Sequence, residues 1–143
     1  MITMSTLSFG EILWDKLPEG DRIGGAAFNI SAHLARADEE VYLLSAIGRD
    51  CGGDAALREV RRMGIRDDLL SFKAEYPTGN VTVKITPDGQ PEYVIHDNGA
   101  WDNIALSEKQ RHFIQDNNWV FSFLGRWHND PRQTGNYYGR YLI

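Results

Sequence analysis

The run Val41-Tyr42-Leu43-Leu44-Ser45-Ala46-Ile47 presents apolar side chains to both sides of an extended backbone. Such a strand has to be covered on both faces, as in a parallel sheet buried between helices. The neighbouring sequence supplies the helices. Ala27, Ile30, Leu34 and Ala37 recur at helical spacing and form one apolar stripe. After Gly48, Gly52 and Gly53, a second helix is predicted from about Asp54, with Leu57, Val60 and Met63 on its apolar side. Gly64 is its natural stop, because glycine accepts the left-handed conformation there. Leu7 to Leu13 reads as an earlier strand with Gly10-Glu11 inside it, followed by a polar loop through Pro18, Gly20 and Asp21. The order strand, helix, strand, helix predicts a layered α/β fold.

The middle of the chain has a different period. Val81, Val83 and Ile85 alternate with Thr82, Lys84 and Thr86. Pro87-Asp88-Gly89-Gln90 carries turn chemistry, and Tyr93 and Ile95 then alternate with Glu92, Val94 and His96. An antiparallel hairpin with one wet face is predicted, within about residues 76–97. It does not suit a sheet covered on both sides, so it is expected as a flap beside one. Ser107-Glu108-Lys109-Gln110 fits a capping box, which starts a helix running to about Asp116. Trp119 to Phe123 reads as a further strand.

From Leu124 to Ile143 the character changes. The aliphatic residues are Leu124, Leu142 and Ile143, and Trp127, Tyr137, Tyr138 and Tyr141 are scattered among polar residues. Arg126, Arg132 and Arg140 face a single acid, Asp130. So few aliphatic residues supply little packing against a sheet. Residues 1–123 are read as one unit and 124–143 as a divergent tail. A frameshifted or otherwise disrupted reading frame would explain the change; a naturally short, diverged protein is the alternative.

The 143 residues suit one domain or a piece of a larger one. The formal net charge of −5, with no basic block, argues against nucleic acid and anionic membranes as partners. The single cysteine, Cys51, excludes an internal disulfide and a cysteine-rich zinc site. No apolar run approaches the ~20 residues of a membrane helix. Met1 to Phe9 has no basic residue ahead of an apolar stretch, so no signal peptide is predicted and a cytoplasmic location is expected.

Two places invite chemistry. Gly24-Gly25-Ala26-Ala27-Phe28-Asn29 puts two glycines at a helix entrance, where backbone can approach a ligand closely and first-turn N–H groups can face it. Asn29 adds a donor and an acceptor, which suits a polyhydroxylated ligand. A tight turn with a polar first-turn residue explains the same pattern. Asp15, placed just past the first strand, can accept two hydroxyls, or it is a solvated loop acid. His96 and His128 lack spaced metal-ligand partners and read as loop histidines. Cys51 lies in a glycine-rich turn beside Arg49, as a reactive thiol or a bystander. Arg58, Arg61, Arg62 and Arg66 read as a solvated basic face.

Taken in order, Gly10 to Asp15, Gly24 to Ser31, Leu44 to Asp50 with Gly52-Gly53, Met63-Gly64-Ile65, Thr78-Gly79-Asn80-Val81 and Ala100-Trp101-Asp102 form a series. It resembles the N-terminal half of PfkB-type (ribokinase-like) carbohydrate kinases, the bacterial fructokinase branch above all, over about Leu7 to Phe123. The Gly24–Asn29 and Gly48–Asp50 blocks are the most specific parts. The resemblance implies part of a three-layer α/β/α sheet domain with a small antiparallel β lid. It implies that Asp15 binds sugar hydroxyls and that Gly24, Gly25 and Asn29 close on a small, fructose-like sugar. The Val81–His96 hairpin would belong to the lid, which in some members also makes a dimer contact. Intact members use ATP and Mg2+ and carry their catalytic base in a Gly-Ala-Gly-Asp-type motif. That motif is missing here, as are the Asn-x-x-Glu pattern associated with magnesium and any Walker-type lysine motif. The resemblance therefore implies a sugar kinase reading without the nucleotide site. This chain is expected to bind ATP and Mg2+ poorly and to be inactive alone, or else to serve as a non-catalytic sugar-binding or kinase-pairing module.

Overall fold

A computed structural model describes residues 4–124, with side chains described through Val120. In chain order the elements are β1 (Ser5–Gly10), β2 (Leu13–Leu17), β3 (Gly20–Gly24), α1 (Ala26–Arg36), β4 (Val41–Gly48), α2 (Cys51–Arg62) and β5 (Leu70–Lys73). They continue with β6 (Gly79–Ile85), β7 (Pro91–Ile95), a 3-10 turn (Ala100–Asn103), α3 (Glu108–Gln115) and β8 (Trp119–Leu124).

The main sheet has the order β5-β4-β1-β8, with parallel pairing throughout. Every residue of β4 is buried, as its two-sided apolar sequence requires. On one face, Ala27, Phe28 and Ala32 of α1 and Ala56 and Val60 of α2 pack with Val41, Leu43 and Ile47. On the other, Leu7, Tyr42, Leu44 and Leu69 pack with Ile104, Leu106, Phe113 and Trp119. The rings of Tyr42, Phe113 and Trp119 meet there at centroid distances of 5.1–5.7 Å. These two cores give the α/β/α layering.

A second sheet, β3-β2-β6-β7, stands beside the first. The β6–β7 hairpin falls where alternation predicts it, from Val81 opposite Ile95 to Ile85 opposite Pro91. The other half of this sheet is a correction. Leu7 to Leu13 is not one strand: the chain turns at Gly10 (φ 147°) and Glu11, and β2 begins at Leu13. The loop placed at Pro18 to Asp21 is the tight connection of a β2–β3 hairpin, and Asp21 lies within β3. Most of β3 is exposed, so its side chains Asp21 and Arg22 carry no apolar alternation to announce a strand.

A second correction concerns α2, which starts at Cys51 rather than near Asp54. Asp50 is its N-cap and accepts a hydrogen bond from the Gly53 N–H at 2.7 Å. The short edge strand β5 is a further addition to the sequence reading. The capping box at Ser107 and Gln110 forms as expected, and Asp116 closes α3. Arg61, Arg62 and Arg66 pair with Asp67, Glu59 and Asp68, as a solvated basic face would. No helix among the described residues is long and apolar enough to cross a membrane. His128 and the tail from residue 125 lie outside the described residues.

Candidate functional site

The site is built where the second sheet meets the entrance of α1. Asp15 sits in the middle of β2, not in a loop past the first strand. It is half-buried, and among the described residues its carboxylate has no hydrogen-bond or ion-pair partner. Burial pushes its pKa above the ordinary carboxylate value. Opposite it on β3 stands Arg22, whose guanidinium reaches Glu19 instead, at 3.9 Å.

The two glycines have separate causes. At Gly24 a Cβ would lie 2.7 Å from Asp15 Oδ2, so the missing side chain is the room in which the carboxylate sits. At Gly25 the backbone adopts φ 100°, and a Cβ would lie 2.5 Å from the Glu11 carbonyl oxygen. Gly25 is the N-cap of α1 and cannot cap with a side chain. Glu11 does this from outside the helix. Its Oε1 accepts from the Ala26 N–H at 3.1 Å, and its carbonyl accepts from the Phe28 N–H at 3.3 Å. Two of the first-turn donors expected to face a ligand are thus already engaged.

Asn29 follows one turn into the helix. Its N–H donates to the Gly25 carbonyl at 2.9 Å, and its side chain is exposed and unpartnered among the described residues. The structure therefore sets Asp15 against Gly24; Gly25 follows in the chain and packs on Glu11, and Asn29 lies one turn further into α1. Sequence reasoning missed Glu11, because its contacts are made across the β1–β2 turn to a helix fifteen residues on.

The second sheet is rooted on α2. Asp50 Oδ1 accepts from the Thr78 hydroxyl at 2.6 Å, and Oδ2 from the Thr78 N–H at 2.8 Å. The Thr78 hydroxyl oxygen in turn accepts from the Gly48 N–H at 3.0 Å. One strand over, Trp14 Nε1 donates to the Gly52 carbonyl at 2.9 Å. The central strands β2 and β6 are thus both held to the first turn of α2. Burial pushes the Asp50 pKa up, but the bonds from the Thr78 hydroxyl and from the Thr78, Gly53 and Gly52 N–H groups outweigh it and leave it lowered.

Thr78→Val is expected to cost about 3 kcal/mol, from a lost bond to a carboxylate and a stranded Gly48 N–H. A lowered carboxyl pKa stabilises the fold above the ordinary value of about 3.9, and that contribution is lost as pH falls through the folded value. Without the Thr78 hydroxyl, acid unfolding should begin at higher pH. Circular dichroism during acid titration of both proteins checks this; coincident curves would remove the role assigned to Thr78.

Cys51 is exposed at the start of α2, and His96 shares a 2.7 Å hydrogen bond with Thr82. Among the described residues no group of three His, Cys, Asp or Glu side chains is placed to hold a metal ion.

The sequence profile of the pfkB family carbohydrate kinases matches residues 20–121. The chain belongs to this family of carbohydrate kinases. Gly24, Gly25 and Asn29 lie within the matched segment, and Asp15 lies just ahead of it. No curated protein sequence matches this PfkB-family chain at a significant level. Among solved structures, Vibrio cholerae O395 fructokinase in its apo form superposes with a TM-score of 0.73 at 15% identity, over 89% of this chain and 55% of that one. Fructokinase from Xylella fastidiosa gives 0.71 at 22%, over 85% and 41%. Fructokinase from Halothermothrix orenii gives 0.69 at 22%, over 84% and 46%. At these identities the likeness establishes a ribokinase-like sugar kinase fold. The PfkB-family chain spans about half the length of these neighbours or less.

Proposed function

We propose that this chain is the sugar-holding part of an ATP-dependent sugar kinase, with fructose as the first substrate to try. The observation that carries this reading is the Asp15 carboxylate, kept half-buried and unpartnered against Gly24 in a chain of the PfkB family. A carboxylate lifted out of water without a partner costs free energy unless a ligand supplies hydrogen bonds. Two sugar hydroxyls would supply them. In this reading Asp15 accepts those hydroxyls, Gly24 and Gly25 let the sugar approach the backbone, and Asn29 adds a donor and an acceptor from α1.

Phosphoryl transfer needs nucleotide, metal and acceptor held together. A Xylella fastidiosa fructokinase has been solved with ATP bound, which supports ATP as co-substrate of a complete enzyme of this kind; Mg2+ beside it is what the family resemblance implies. The Gly-Ala-Gly-Asp-type motif that would provide base and phosphate cradle is missing from these 143 residues. We therefore assign residues 1–123 to the N-terminal part of a kinase domain, with the β6–β7 hairpin in its lid. The chain alone should hold sugar without phosphorylating it. A second reading, a kinase-pairing module, is favoured by Ile85, Tyr93 and Val94, which are exposed on the lid hairpin.

Thermal unfolding with and without millimolar fructose tests the first reading. A ligand at a hundredfold excess over Kd stabilises the state it binds by about 2.7 kcal/mol. The midpoint should rise with fructose, and a coupled ADP assay with ATP, Mg2+ and fructose should stay at background. An unmoved midpoint across a panel of hexoses and pentoses would overturn the sugar site. Turnover by this chain would overturn its assigned inactivity.

A further inference from the structure

On the second sheet, Leu13 stands in register with Gly24 of β3 on one side and Gly79 of β6 on the other. A Cβ at Gly24 would lie 3.8 Å from Leu13 Cδ1, and one at Gly79 would lie 3.2 Å from Leu13 Cβ, so the three positions share one face. The row spans two strand spacings, about 10 Å, and carries only one side chain. Asp15 Oδ2 borders its Gly24 end, 2.7 Å from that absent Cβ. The Trp101 indole borders its Gly79 end, where an absent Cβ would lie 2.5 Å from Cδ1 and 2.8 Å from Nε1. Trp101 exposes 7% of its surface, and its Nε1–H is sealed from water with no hydrogen-bond partner. An N–H in that state costs free energy, and native structures seldom leave one unmatched.

We propose that the Trp101 indole N–H is the second polar wall of the sugar site and donates to a sugar oxygen lying across the Gly24-Leu13-Gly79 row from Asp15. This rests on the sugar-kinase reading above and sharpens its specificity. The favoured ligand presents hydroxyls to the Asp15 carboxylate at one end and an accepting hydroxyl or ring oxygen at the other. Leu13 is 4% exposed in the sugar-free protein, packed with Val81 and Val83, so the ligand's apolar C–H face meets it only once that side chain has shifted. Because Nε1 is closed to water, the sugar oxygen reaches it together with a shift of the Leu13 side chain.

The test uses the full chain, 15N-labelled, with fructose as probe. The Trp101 indole cross-peak is assigned by its absence in Trp101→Phe, which keeps an aromatic ring and removes the N–H. Saturating fructose should move that cross-peak downfield. Trp101→Phe should bind fructose about fivefold more weakly, the size of one neutral hydrogen bond. Its sugar-free midpoint should stay level or rise, because no N–H is left stranded. A merely structural Trp101 predicts the reverse, a lower midpoint with unchanged affinity, and that result would overturn the proposal. If Trp101→Phe fails to fold, the cross-peak in the unaltered chain decides alone: an unmoved peak at saturation overturns the role of Trp101. Fructose binding that is lost in Asp15→Ala yet leaves the Trp101 peak unmoved sinks this inference and spares the sugar site. No sugar binding by the unaltered chain sinks both.

Discussion

Gly53→Ala should destabilise the protein by about 4 kcal/mol, whereas Gly52→Ala, one residue earlier, should stabilise it by about 0.5 kcal/mol. Both glycines lie in the first turn of α2, where alanine is the better helix former by about 1 kcal/mol. At Gly52 an added Cβ meets Asp50 Oδ1 at 3.4 Å, Thr78 Cβ at 3.5 Å and Trp14 Cδ1 at 3.6 Å, all ordinary contacts. At Gly53 it would lie 2.0 Å from the Gly48 carbonyl oxygen and 3.0 Å from the Thr78 hydroxyl. Neither atom can give way cheaply. The Gly48 carbonyl is backbone at the end of a buried strand, and the Thr78 hydroxyl is engaged with both Asp50 and Gly48. The helix would have to back away from the sheet and release the roots of β2 and β6. Urea unfolding of the two variants reads the difference directly. Equal midpoints would mean that α2 is not docked on Gly48 as described.

Asp15→Asn should weaken fructose binding about 100-fold and raise the unfolding midpoint of the sugar-free protein near neutral pH. Loss of charge-assisted hydrogen bonds, at 1.5–3 kcal/mol each, sets the first effect. The second follows from the raised pKa of Asp15, which burial causes. A carboxyl whose folded pKa is raised binds its proton more tightly when folded. Its cost to stability is therefore absent below the ordinary value of about 3.9, grows as pH rises through the folded value, and is complete above it. An amide never carries that charge. Fructose should bind the ionised form, so its affinity in the unaltered chain should fall as pH drops through the raised pKa, and the Asn variant should lose this dependence. Calorimetric titration across pH, with thermal scans of both proteins, covers all three results. An Asn variant that binds fructose as tightly as the parent removes Asp15 from the site.

Site residues of this type commonly lower stability in exchange for binding, which makes the opposite signs expected for Asp15→Asn informative. A residue kept only for packing would lose stability and leave the pH profile of binding where it was.

Where a physical signal was local, the sequence already carried it. The β6–β7 hairpin has one wet face, so its period of two survives in Val81, Val83 and Ile85. The start of α3 is a reciprocal pair of bonds between Ser107 and Gln110, three residues apart. The burial of β4 on both faces follows from a run with no polar side to turn outward. β3 leaves no signal in the sequence, because it is mostly exposed and nothing in Gly20-Asp21-Arg22 requires a buried face. The true start of α2 has little local signal, because its cap, Asp50, also anchors Thr78, and Gly52 and Gly53 argue locally against a helix.

The candidate site divides along the same line. Gly24, Gly25 and Asn29 are legible as residue types at a helix entrance, Asp15 as an acid just past the first strand, and all four by family resemblance. Why the glycines are glycines was not: Gly24 leaves room for Asp15, and Gly25 for the Glu11 carbonyl. The capping by Glu11 and the unmatched N–H of Trp101 had no signal along the chain. Pattern and composition by themselves determined the α/β layering, the wet-faced hairpin and the entrance of α1, because periodicity and caps act between near neighbours. The second sheet's other half, its anchoring on α2 and the Gly24-Leu13-Gly79 row were decided only in three dimensions. Strand pairing and close backbone approach join residues far apart in sequence, and no local preference encodes which partner arrives.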